Sequence, residues 1–102
     1  MAFEAKYKEN ENFEIHLSGD LDINVVENFK NEILDKYKIL DKNIVFDFSD
    51  LKYIDSTGIG VIMTVYKEAK DKLKTLTIKN ANRNIYKLFK ITKLTELFNM
   101  ED

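Results

Sequence analysis

Three short runs patterned as strands are separated by two helical stripes, and that order limits the fold more than any other feature of the chain. Phe13, Ile15 and Leu17 alternate with Glu14, His16 and Ser18. A period of two is what a strand with one buried face requires. Val26, Phe29, Ile33, Tyr37 and Leu40 then follow at spacings of three and four, the stripe of an amphipathic helix, with Asn24 placed to cap it. Ile44-Val45-Phe46-Asp47-Phe48 is β-branched and aromatic and suits a central strand. A second helix is predicted from about residue 57 to about residue 73, with Ile62, Val65, Tyr66, Ala69 and Leu73 on its buried face. Residues 75–79 alternate again, with Leu76 and Ile78 inward. A β-α-β-α-β run implies partly parallel strands joined by right-handed crossovers.

The two ends extend this frame. Phe3, Ala5 and Tyr7 alternate with charged residues, and a turn at residues 9–12 makes them the edge strand of a hairpin. A last helix is expected over residues 83–91, through Ile85, Leu88 and Phe89. Leu94, Leu97 and Phe98 form an apolar turn that closes the core. The expectation is an α/β fold in one domain, residues 1–102. It has a mixed sheet of about four strands, helices mainly on one face, and the order β-β-α-β-α-β-α followed by a turn or short helix.

Several functional classes are disfavoured. The net charge is −2, the two signs are interleaved, and no segment reads as a nucleic-acid footprint. No apolar run reaches the roughly 18 residues of a membrane span. No signal peptide is visible at the start. The absence of cysteine removes disulfides and thiolate metal sites and fits a cytoplasmic chain. His16 is the only histidine and alternates with the inward positions of its strand, so it reads as a solvated residue rather than a metal ligand. A Ser-His-Asp hydrolase would need Ser56 and His16 together, yet the Gly-x-Ser-x-Gly elbow is absent. Gly58-Ile59-Gly60 lacks the third glycine of a dinucleotide fingerprint. The chain therefore reads as a binding module, not an enzyme, with no metal and no cofactor. Its lysines, including Lys67, Lys70, Lys72, Lys74, Lys87, Lys90 and Lys93, read as solvated helix faces. Tyr53 and Phe3 are the aromatic residues least tied to a core-facing stripe.

Two of the three glycines fall in Asp55-Ser56-Thr57-Gly58-Ile59-Gly60, at a strand-to-helix junction. Asp, Ser and Thr there can accept hydrogen bonds from the free N–H groups of the first helical turn. The helix terminus also tolerates negative charge. Local chemistry favours a simple cap, with a modification site as the less common alternative. A phosphate on Ser56 would add about −1.5 to −2 charges and three strong acceptors.

The wider setting resembles the STAS domain family, in its bacterial anti-sigma factor antagonist branch. The matching segments are Leu17-Ser18-Gly19-Asp20-Leu21-Asp22, Ile44-Val45-Phe46-Asp47-Phe48-Ser49 and Tyr53-Ile54-Asp55-Ser56-Thr57-Gly58-Ile59-Gly60-Val61. Tyr66-Lys67-Glu68-Ala69 and the stretch from Leu88 to Phe98 also match, so the resemblance spans the chain. It implies a partner-switching role. The unmodified protein binds an anti-sigma factor that is also a serine kinase, and a sigma factor is freed. Phosphorylation of the serine after the motif aspartate, here Ser56, releases the kinase, and a serine phosphatase resets the switch. Thr57 offers a second acceptor. Asp22, Asp55, Ser56, Thr57, Gly58 and Ile59 are the implied partner-binding residues, on a monomer or weak dimer. Two other roles occur among similar domains: a scaffold subunit of a stress-signalling complex, and an accessory subunit of a membrane lipid transporter. Two departures stand out: Lys72-Leu73-Lys74 replaces a glycine-rich turn, and Lys93 replaces a glycine after the last helix.

Overall fold

The computed structural model describes residues 2–101. Its elements are β1 (Glu4–Glu9), β2 (Phe13–Leu21), α1 (Val26–Tyr37), β3 (Ile44–Ile54), α2 (Ser56–Asp71), β4 (Leu76–Lys79), α3 (Arg83–Ile91), a 3-10 turn (Leu94–Glu96) and β5 (Asn99–Glu101). The strands lie in one sheet in chain order, β1-β2-β3-β4-β5. β1 is antiparallel to β2, and the other three pairings are parallel. The sheet thus has five strands rather than about four. The fifth is only three residues long and pairs Thr77, Ile78 and Lys79 with Asn99, Met100 and Glu101.

Register explains the layering. Phe13 stands beside Ile44 and Ile44 beside Leu76, while Ile15, Phe46 and Ile78 form the next row. All six are buried, so one sheet face is continuously apolar. The helices cover that face, as their buried residues Phe29, Ile33, Ile62, Val65, Ile85 and Phe89 join the same cluster. Ring contacts show the fit: Phe13 stacks on Tyr37 at 5.8 Å and Phe48 meets Phe89 edge-on at 6.1 Å. The opposite face carries Glu14, His16, Asp47 and Lys79 and stays half open to solvent.

Some local expectations change. β3 runs six residues beyond Phe48, to Ile54. Asn24 does not cap α1, which has no side-chain cap. Instead the Asp22 carbonyl accepts from the backbone N–H groups of Val25 and Val26, both at 3.1 Å. Phe3 is not left outside the core, because its ring packs edge-on against Phe29 at 5.2 Å. Leu94 and Phe98 close the core as expected, whereas Leu97 is 46% exposed.

Leu73 is not on the buried face of α2. It is 92% exposed, and its φ of 62° puts it in the left-handed region. The chain reverses there through paired bonds, Leu73 N–H to the Lys70 carbonyl at 2.9 Å and Lys74 N–H to the Ala69 carbonyl at 2.8 Å. That is a Schellman ending, where glycine is usual. Lys93, with φ 63°, occupies the same kind of position after α3. Both departures noted in the sequence therefore fall where the backbone favours glycine.

Candidate functional site

The site forms because β2 and β3 are parallel neighbours whose last residues, Leu21 and Ile54, lie side by side. The loops that follow, Asp22 into α1 and Asp55 into α2, therefore leave the same edge of the sheet. Close packing fixes them. A Cβ on Gly58 would come within 2.7 Å of both the Leu21 carbonyl oxygen and Ile54 Cγ1. Only glycine lets α2 start this near β2.

Asp55 is the N-cap of α2. One carboxylate oxygen, Oδ1, accepts from the backbone N–H of Thr57 at 3.0 Å and of Gly58 at 3.1 Å, and from the Thr57 hydroxyl at 2.5 Å. The Thr57 hydroxyl bond is the main cause holding the Asp55 carboxyl below the usual range. Burial opposes it, and the N–H groups of Gly58, Thr57 and Ile23 add to the lowering. The Asp55 N–H donates to the Leu21 carbonyl at 3.4 Å, which ties the start of the β2–α1 loop to the start of α2. Asp22 organises that loop, its Oδ1 accepting from Asn24 N–H at 3.0 Å.

These bonds divide the labour among neighbours. Asp55 caps and Thr57 is committed to Asp55. Ser56, the first residue of α2, is exposed, and among the described residues nothing hydrogen-bonds its hydroxyl. Ile59 is half-buried and packs toward the core. The structure thus brings Asp22, Asp55, Ser56, Thr57, Gly58 and Ile59 to one edge. Sequence reading did not single out Ile23, which is 69% exposed, and raised Tyr53 only as an exception; Tyr53 is 51% exposed. Ile23 had a signal: it fits neither the alternation of β2 nor the stripe of α1.

His16 is not simply solvated. Its Nε2 lies 2.7 Å from Asp50 Oδ2, on the open face of the sheet. Beside it, burial acts to raise Asp47, but the Ser49 N–H, the Asn80 amide and the nearby His16 hold its carboxyl lower than usual. No group of three or more His, Asp or Glu residues among those described could hold a metal. No described helix is long and apolar enough to cross a membrane.

Comparison with known proteins agrees with this architecture. The model of the STAS domain matches residues 4–102. The anti-sigma-B factor antagonist of Listeria monocytogenes is 23% identical over 103 residues, covering all of this chain and 90% of that protein. The unphosphorylated anti-sigma factor antagonist SpoIIAA superposes with a TM-score of 0.75 at 23% identity, covering 99% of this chain and 88% of the other. The phosphorylated form of SpoIIAA, a cell fate determinant of Bacillus, gives 0.73 at 23% identity, covering 97% and 90%.

Proposed function

The chain belongs to the STAS domain family, and from that premise we propose that it is an anti-sigma factor antagonist switched by phosphorylation of Ser56. In its unmodified form it binds an anti-sigma factor with serine kinase activity, and the sigma factor is set free. Transfer of phosphate to Ser56 ends that complex, and a serine phosphatase restores it. The protein acts in the cytoplasm.

The observation that carries this reading is the uncommitted, exposed hydroxyl of Ser56 beside a cap that does not need it. A phosphate there would leave the Asp55 bonds in place and so leave α2 intact. The consequence of modification falls on the interface. A partner covering Ser56 would have to desolvate a dianion, and an unpaired buried charge costs several kcal/mol. Each 1.4 kcal/mol is about tenfold in affinity.

Binding of the cognate anti-sigma factor, measured by calorimetry, tests the reading. Ser56→Ala should bind as the wild type does and resist release by ATP, whereas Ser56→Asp should bind at least about tenfold more weakly. Equal affinity for wild type, both variants and the phosphoform would overturn it.

A further inference from the structure

The charges are interleaved along most of the chain but not in its last third. Residues 72–95 contain seven lysines and arginines and no aspartate or glutamate, so all 18 acidic residues lie elsewhere. Two of the seven are engaged at the base of the helices. Lys72 Nζ donates to the carbonyls of Tyr37 and Leu40, and Lys74 pairs with Asp41 at 3.7 Å. Lys79 lies in β4 beside Asp47 of β3. The remaining four, Arg83, Lys87, Lys90 and Lys93, are exposed, and none pairs with a carboxylate among the described residues.

Helical spacing puts Arg83, Lys87 and Lys90 together on the outer face of α3, opposite the buried Ile85 and Phe89. Exposed apolar side chains border them: Tyr86 at 43%, Ile91 at 74% and Leu97 at 46%. A solvated face on a chain of net charge −2 needs no such segregation of sign.

We propose that the outer face of α3 is a second docking surface, which takes a short acidic polypeptide segment of a partner protein. Charge complementarity selects the sign of that segment, and the bordering tyrosine, isoleucine and leucine select one that carries apolar residues among its acids. The patch is small. Nine helical residues span about 14 Å. Glu101 lines one hollow with Arg83 and Tyr86, and an extended polyanion such as duplex DNA or a lipid headgroup plane would overrun the patch. A short peptide does not. The proposal rests on α3 and does not depend on the phosphorylation reading.

The test uses the full chain labelled with nitrogen-15. It is titrated with a peptide of about five residues, alternating glutamate with leucine or phenylalanine and matched in extended length to the patch, and amide shifts are mapped. Shifts should concentrate in residues 83–97, and affinity should fall at least about fivefold between low and physiological salt. Lys87→Glu combined with Lys90→Glu should abolish binding. Lys6→Glu with Lys8→Glu, the same charge change on β1, should weaken it less than twofold. Shifts scattered over all lysines, or equal losses in the two double variants, would overturn the proposal. So would tighter binding at α3 of a duplex oligonucleotide or of vesicles containing phosphatidylserine. Self-association through α3 in sedimentation, lost in the Lys87/Lys90 variant, would also contradict it.

Discussion

The hydroxyl of Thr57 donates to Asp55 Oδ1 at 2.5 Å, and this bond separates two adjacent hydroxyls into a structural one and a free one. Thr57 is held inside the cap of α2, while Ser56 carries no bond that modification would break. Replacing Ser56 by alanine should therefore change stability by no more than about 0.5 kcal/mol. Thr57→Val should cost more. Urea melts of the two variants beside wild type read the difference.

The cap itself should be sensitive to acid. Asp55 titrates below its ordinary range in the folded state because the carboxylate accepts first from the Thr57 hydroxyl and then from the N–H groups of Gly58 and Thr57. A lowered folded pKa means that the stabilisation is present above the unfolded value of about 3.9 and is lost as pH falls through the folded one. Asp55→Ala should lower stability by about 1 kcal/mol at pH 7 and should lose less than wild type between pH 5 and pH 2.5. Thermal melts across that range check both statements.

The two glycines of the motif should respond in opposite ways. A methyl at Gly58 collides with the Leu21 carbonyl and the Ile54 side chain, whereas one at Gly60 meets nothing within 4 Å. Gly58→Ala should destabilise by about 1–3 kcal/mol through overpacking. Gly60→Ala, within α2, should stabilise by about 0.5–1 kcal/mol. Denaturation midpoints distinguish the two outcomes.

Leu73 and Lys93 sit in left-handed backbone without being glycine. Leu73 is almost fully exposed, so its side chain contributes little packing to offset the steric cost. Leu73→Gly should stabilise by about 0.5–1 kcal/mol, visible as a raised melting temperature.

Much of this architecture is legible in the sequence because one sheet face is buried and the other wet, which writes alternation into β2 and β4 and stripes into the helices. The reading fails where period gives way to local geometry. Beyond Phe48, β3 continues through Asp50, Lys52 and Tyr53, all exposed, and its pairing with β2 shifts register near Gly19, so no alternation survives. β5 has three residues and only Met100 turned inward, too few to form a pattern. Asn24 is the right type of residue for a cap, but the turn is already satisfied by Asp22. At the site, residue types identified Asp55, Ser56 and Thr57 as candidates for one cap. Which of them caps depends on the extended backbone of Asp55, and that is a property of the fold.

The division between Ser56 and Thr57 is tested most directly by incubating the chain with its cognate anti-sigma factor kinase and ATP, followed by intact-mass and peptide mass spectrometry. The account predicts a single phosphate on Ser56, retained in Thr57→Ala and absent in Ser56→Ala. A phosphate on Thr57 in the wild-type chain, or no modification of Ser56 by any candidate kinase, would contradict it.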